Sequence, residues 1–255
     1  MSRDSIISRM LAYATVFACG LLLQPAVSPA ANSPQPVLVE LFTSEGCSSC
    51  PPADRLLAEL DRKQPVSGAT VIVLSEHVDY WNYLGWRDPY SSSRWSERQS
   101  DYGRHFRLDS VYTPQMVVNG THEVNGSDAS AVRKAIEEST MSPALPISIS
   151  SIDRANSTLS ITVSAAAGPG ASLYAAIADD ADRSSVQRGE NEGRTLDHVA
   201  VLRSLEMVAS LQTPLTDKPL KISLPSGSLN RHLRLILFVQ DEKSGHVLGV
   251  AEREF

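Results

Sequence analysis

Two cysteines three residues apart, Cys47 and Cys50, fall where an apolar run ends and a helix-like run begins. Upstream, Val37-Leu38-Val39-Glu40-Leu41-Phe42 has the content of a strand; downstream, Pro51 to Leu60 reads as the opening of a helix. A Cys-x-x-Cys pair at a strand-to-helix junction is the arrangement of a thiol–disulfide redox motif. The first turn of a helix carries unpaired N–H groups and the positive end of the macrodipole, so a thiolate there is stabilised. A lowered thiol pKa raises the fraction of the nucleophilic thiolate. Cys47, as the more exposed N-terminal thiol, is expected to attack, and Cys50 to resolve the mixed disulfide. A zinc half-site, an inert structural disulfide and coincidence are the alternatives. Zinc takes four ligands, yet one further cysteine exists, Cys19, and the six histidines contain no pair at metal spacing. An inert bridge across so short a loop restrains little of the unfolded chain.

A second segment points the same way. Val111-Tyr112-Thr113-Pro114-Gln115-Met116-Val117-Val118-Asn119-Gly120 runs from a Thr-Pro step into a short strand and an Asn-Gly hairpin turn. The thioredoxin fold sets a cis-proline loop beside its Cys-x-x-Cys helix, just before a hairpin, and Thr113-Pro114 resembles that loop. A cis X-Pro bond is a specific choice, usually in a tight turn. A trans proline opening a strand is the plain alternative.

Composition bounds the class and the address. The 255 residues, with a net charge of −6, suit one large or two small globular domains. Mild acidity argues against nucleic acid or an anionic membrane surface as partner. Residues 1–30 have the pattern of a secretory signal: Arg3 and Arg9, an apolar stretch from Met10 to Leu23, and small residues around Ser28-Pro29-Ala30. The apolar stretch is shorter than the ~20 residues of a spanning helix, so no stable membrane anchor is expected. Cleavage would leave a secreted or periplasmic chain whose two cysteines, in an oxidising compartment, can form a Cys47–Cys50 disulfide.

Residues 31–142 read as an α/β thioredoxin-like domain. Ala69 to Leu74 is its second strand, Ala131 to Ser139 a helix capped from Ser127-Asp128. His77 to Ser110 is an aromatic-rich insertion in which Trp95, Gln99, Tyr102 and Phe106 recur at helical spacing, predicting an amphipathic helix from Ser92 to Phe106. Composition shifts at Met141-Ser142-Pro143, and residues 143–255 read as an all-β domain. Strands are expected at Ile147–Ile152, Thr158–Val163, Ser172–Ala178, Ala200–Val208, Leu220–Leu224, Leu233–Gln240 and Val247–Glu252. Seven short strands suggest an antiparallel sandwich of immunoglobulin-like architecture.

The run Val39-Glu40-Leu41-Phe42-Thr43-Ser44-Glu45-Gly46-Cys47-Ser48-Ser49-Cys50-Pro51-Pro52-Ala53-Asp54 resembles the signature of the domain of unknown function 1223 family. Also similar are His77-Val78-Asp79-Tyr80-Trp81 with Leu84-Gly85-Trp86-Arg87-Asp88-Pro89, Tyr112-Thr113-Pro114-Gln115, and Gly189-Glu190-Asn191-Glu192-Gly193-Arg194-Thr195-Leu196. The resemblance covers nearly all of the chain after the signal. It implies an exported thioredoxin-like domain followed by a β-rich one, and no known substrate. Against ordinary thioredoxins the chain departs at Gly46, where those proteins carry tryptophan, and in the Ser-Ser between the cysteines.

Glu40, on the strand leading to the motif, resembles the buried carboxylate that relays protons in thioredoxins, with the spacing off by one; a partly exposed strand carboxylate is the alternative. His77 follows the second strand, at the sheet end where a site forms in α/β folds, and could shuttle a proton or simply cap the strand. Tyr80, Trp81 and Trp86 offer an apolar rim for an extended polypeptide or belong to the core. Thr113 and Pro114 would offer backbone hydrogen bonds to substrate. The expected function is thus an exported thiol–disulfide oxidoreductase acting on protein thiols or disulfides together with an unidentified redox partner, without an organic cofactor or a resident metal. A copper metallochaperone, using the Cys pair and His77 for the soft Cu(I) ion, and a non-enzymatic binding module with a structural disulfide are the rivals.

Overall fold

A mainly apolar run needs burial on both faces, and the first strand has it: in β1 (Gln35–Thr43) every residue from Val37 onward is buried, Glu40 included. The structure is a computed structural model and describes residues 33–255; the expected signal and Cys19 lie outside the described residues. β1 leads into α1 (Pro51–Lys63), whose Ala53, Leu56, Leu57 and Leu60 form its buried stripe. Gln64 closes the helix with a left-handed backbone, and its side chain bonds both backbone groups of Val71. That turn returns the chain to β2 (Ala69–His77), parallel to β1.

α2 (Ser93–Phe106) starts at Ser92, whose hydroxyl accepts from the Arg94 N–H. β3 (Gln115–Val118) and β4 (His122–Asn125) make a hairpin through Asn119-Gly120, both with positive φ, as a two-residue turn requires. Gly120 cannot be replaced freely: a Cβ there would lie 2.1 Å from the Gly245 carbonyl oxygen. α3 (Ala129–Ser139) is capped by the Asp128 carboxylate. The expected starts of α2 and α3 thus fall on true capping residues.

Apart from a 3-10 turn at Ser228–Asn230, the regular elements of the second half are strands: β5 (Ile147–Ala155), β6 (Thr158–Ala165), β7 (Ala171–Ser185), β8 (Thr195–Ser210), β9 (Leu215–Ser223), β10 (Leu233–Asp241) and β11 (Val247–Glu254). One eight-stranded sheet has the order β11-β10-β7-β8-β2-β1-β3-β4, and β5-β6-β9 form a separate three-stranded sheet. The large sheet therefore runs through the expected 142/143 boundary, joined where Ser75 of β2 meets Val201 of β8, and Ser33–Phe255 groups as one unit. Leu159, Ile161 and Val163 of β6 pack with Leu173 and Ile177 of β7 and Leu235 and Leu237 of β10, so the small sheet covers one face of the large one.

β7 and β8 are 15 and 16 residues long, well beyond the expected Ser172–Ala178 and Ala200–Val208. Past Asp179 the hairpin carries alternating polar residues and leaves the apolar core, which hides its strand character from hydrophobic patterning. This extension delivers residues 186–194 to the cysteine loop.

Candidate functional site

The loop between β1 and α1 is short and internally bonded. Cys47 N–H donates to Ser44 O at 3.1 Å, and Cys50 N–H to Cys47 O at 3.2 Å. Cys50 is the N-cap residue of α1, its carbonyl accepting from Ala53 and Asp54, with prolines at the next two positions. There a missing N–H costs nothing. Cys47 and Cys50 form a disulfide with Cα atoms 5.4 Å apart. Both cysteines are 0% exposed, although Ser48 and Ser49 between them are exposed. Cys47 is therefore not the exposed thiol expected from its N-terminal place; the tip of the β7–β8 hairpin is bonded to its peptide group, and no local pattern announces that contact.

Thr113–Pro114 is a cis peptide bond immediately before β3. Trp81 links this loop to the cysteine loop: its Nε1 donates to Thr113 Oγ1 at 2.8 Å, and its Cβ lies 2.9 Å from where a Cβ on Gly46 would be. Gly46 is thus the residue that Trp81 permits. Trp86 Nε1 donates to Glu45 Oε2 at 2.7 Å, and Tyr80 OH to Gln99 Oε1 at 3.0 Å. The three expected rim aromatics are each fixed by their polar atom and none is fully buried; Tyr83, beside them, is 79% exposed.

Glu40 sits elsewhere. Alternate strand residues face opposite sides of a sheet. Leu41 meets the α1 side, near Ala53, and Thr43 bonds Asp54 of α1, whereas Phe42 packs on Tyr102 of α2. Glu40 shares the Phe42 face. Its carboxylate accepts from Arg98 Nε at 2.7 Å and from Tyr102 OH at 2.6 Å. Arg98 also lies 3.5 Å from Glu76 on β2. Burial, and then the neighbouring Glu40, push the Glu76 carboxyl well above the usual range, against the pull of Arg98. Glu40 thus belongs to a buried ion network behind the sheet, not to the cysteine side as the relay expectation required.

His77 does lie on the cysteine side, in a buried polar cluster. Its Nδ1 is 2.7 Å from Asp88 Oδ2, and both side chains are 0% exposed. Burial pushes the His77 imidazole down, but Asp88, Asp54 and Glu45 together leave its pKa raised. Burial likewise opposes ionisation of Asp88, yet His77 and the N–H groups of Glu45 and Tyr90 hold its carboxyl low. Each partner thus favours the charged form of the other. Asp54, in the first turn of α1, accepts from Thr43 Oγ1 at 2.9 Å; burial raises its pKa against the pull of His198 and His77.

Glu45 and His198 complete the cluster. Glu45 accepts from Trp86, from the Ser184 hydroxyl and, at 3.3 Å, from His198 Nε2. The His198 ring meets the His77 ring edge to face at 4.6 Å, with Tyr90 against both. His198 Nδ1 is 4.0 Å from Asp54 Oδ1 and, like His77 Nε2, has no hydrogen-bond partner. Among the described residues no group of His, Cys, Asp and Glu has metal-binding geometry.

Residues 186–194 close the site. Asn191, fully buried, donates from Nδ2 to the carbonyl oxygens of Glu45 and Cys47, each at 2.9 Å. Its Oδ1 accepts from Arg194 Nη1 at 2.7 Å. The Ser48 N–H donates to Glu190 Oε2 at 3.0 Å, and hydrogen bonds from Ser48 hold that carboxyl below its usual range. Arg194 thus acts through Asn191. Sequence reasoning assigned no role to Glu45, Asp54, Asp88, Glu190, Asn191 or His198. The first-turn acid after Pro51-Pro52 was a local signal for Asp54. Nothing local marks His198, which reaches the site only because β8 lies beside β2.

A crystal structure of a protein from Agrobacterium tumefaciens, determined by a structural-genomics programme, is 27% identical with a TM-score of 0.60, covering 86% of this chain and 93% of that one. The solution structure of CsgH from R. palustris (9% identity, TM-score 0.17, 44% of this chain and 90% of that one) is too dissimilar to carry an argument. The same holds for a β-glucuronidase from Bacteroides uniformis (16%, 0.16, 44% and 12%). No curated protein matches. A family model described as a protein of unknown function, DUF1223, matches residues 38–240, and the chain belongs to that family.

Proposed function

We propose that this protein is an exported thiol–disulfide oxidoreductase with a thioredoxin-like site, exchanging disulfides with protein thiols through Cys47 and Cys50. The observation that carries the reading is the Cys47–Cys50 disulfide at the head of α1, with Cys50 as the N-cap residue. With prolines at the first two helical positions and the Ala53 and Asp54 N–H groups bonded to the Cys50 carbonyl, the helix dipole is what favours a thiolate after reduction. The element order β1-α1-β2-α2-β3-β4-α3, with sheet order β2-β1-β3-β4 and a cis proline before β3, supports the thioredoxin-like description. The signal-like pattern of residues 1–30 supports export, which suits a disulfide.

The test is a redox titration of the pair by thiol alkylation, joined to an exchange assay with a reduced unfolded protein and to partner trapping with Cys50→Ser, which stalls the mixed disulfide. A potential within the range of known oxidoreductases, about −120 to −270 mV, and Cys47-linked mixed disulfides are expected. A second reading, a binding module with a structural disulfide, draws on the complete burial of both cysteines. A potential below about −300 mV with no exchange selects it. Cu(I) binding to the reduced protein that is lost in His77→Ala would instead select the metallochaperone.

A further inference from the structure

The tip of the β7–β8 hairpin holds the Cys47–Ser48 peptide group from both sides: Asn191 donates to its carbonyl oxygen and Glu190 accepts from its N–H. An extended polypeptide that carries a carboxylate side chain offers the same two kinds of group, a backbone N–H that donates as Asn191 does and a carboxylate that accepts as Glu190 does. The tip is built for the position. Asn191 is buried and oriented by Arg194, while Val186 bonds Arg194 and Gly193 across the base of the loop.

Most of the tip faces solvent. Residues 187, 188, 190 and 192–194 are exposed, and Gly189 and Gly193, both at positive φ, allow the chain to turn there without strain. Its side chains hold the cysteine loop through three hydrogen bonds, two from Asn191 and one to Glu190. An attacking thiolate has to reach a sulfur atom, and neither cysteine presents any surface.

We infer that residues 186–194 are a displaceable cap that occupies the substrate position on the oxidised cysteine loop, and that the substrate is an extended polypeptide dithiol with a carboxylate side chain beside its cysteine. The inference rests on the thiol-exchange reading. Such a peptide supplies backbone groups in place of the Asn191 contacts and a carboxylate in place of Glu190 at the Ser48 N–H. One substrate thiolate attacks Cys47 Sγ; the Cys47–Cys50 bond breaks and Cys50 leaves as thiolate. The second substrate thiolate attacks the substrate sulfur of the mixed disulfide and expels Cys47. Two electrons pass from the substrate, now a disulfide, to the cysteine pair, and the two protons given up by the substrate thiols balance the two thiolates formed.

The test follows reduction of the Cys47–Cys50 disulfide by quench and alkylation, in the parent, Glu190→Ala and Asn191→Ala. The probes are two synthetic dithiol peptides, one with Asp and one with Ser beside the cysteine. Circular dichroism checks that each variant is folded; Glu190→Ala alters an exposed side chain and keeps the test standing if Asn191→Ala fails to fold. Loss of a hydrogen bond to the cap should speed reduction roughly three- to tenfold, and the parent should prefer the Asp peptide. Equal, measurable rates in parent and folded variants would overturn the cap while leaving thiol exchange intact. No reduction in any of the proteins by either peptide would overturn both. Faster variants with no preference for Asp would overturn the carboxylate-bearing substrate.

Discussion

Asn191 donates to the carbonyl oxygen of Cys47 across 144 residues of sequence, at 2.9 Å. Together with the Glu190 contact to the Ser48 N–H, it ties the second half of the chain to the cysteine pair. It makes the site a joint product of the β1–α1 loop and a hairpin tip that belongs to the strand-rich half.

Asn191→Ala should also be visible in stability. The substitution leaves the carbonyls of Glu45 and Cys47 without their side-chain donor in a buried place and frees Arg194. Orphaned buried groups cost about 1–3 kcal/mol. Urea denaturation of the oxidised protein should show that loss, and an unchanged midpoint would mean the tip is not held as described.

Asp88→Asn should remove about 3–5 kcal/mol, because it leaves the buried His77 without its counter-charge. The pH dependence carries a sign. His77 has a raised pKa in the folded state, so its contribution is complete below about pH 6.5 and fades as pH rises through the folded value. Asp88 has a lowered pKa, so its contribution is present above about pH 3.9 and fades as pH falls through the folded value. The parent should therefore lose stability at both ends of a pH series. A variant whose stability curve merely runs parallel to the parent's would contradict this.

Arg98→Met tests the network behind the sheet. It strands Glu40 and Glu76, two buried carboxylates on neighbouring strands, without their shared cation. A loss of about 3–5 kcal/mol is expected near neutral pH. The Glu76 pKa is already raised in the folded protein. Folding therefore takes up protons there, and stability falls as pH rises from about 4.3 through the folded value. The variant should steepen this trend and recover part of its stability in acid. Equal losses at pH 5 and pH 8 would be inconsistent with stranded carboxylates.

Gly46→Ala places a methyl group 2.9 Å from the Trp81 Cβ. Trp81 or the cysteine loop has to shift, at an overpacking cost of about 1–3 kcal/mol. Because Trp81 Nε1 bonds Thr113, the shift should change the near-ultraviolet circular dichroism of the folded protein. A variant with the parent's spectrum and melting curve would show that the contact between the two loops is slack.

What could be read along the chain was whatever local chemistry writes locally. The apolar run into Cys47, the two prolines after Cys50, the caps at Ser92 and Asp128 and the Asn119-Gly120 turn each declare an element through its own neighbours. The ends of β7 and β8 were not legible, because their outer residues are mostly polar and carry no continuous apolar face. The side of the sheet on which Glu40 lies was decided by strand parity and by which helix covers each face, a property of the packed sheet. His198 reaches the Glu45–His77 cluster, and Asn191 the cysteine loop, because β8 pairs with β2 at a single register point. Pairing between strands so distant in sequence leaves no periodic mark on either one. The cysteine pair and its helix were thus determined by sequence alone, whereas the burial of that pair, and the residues that bury it, were decided by the tertiary fold.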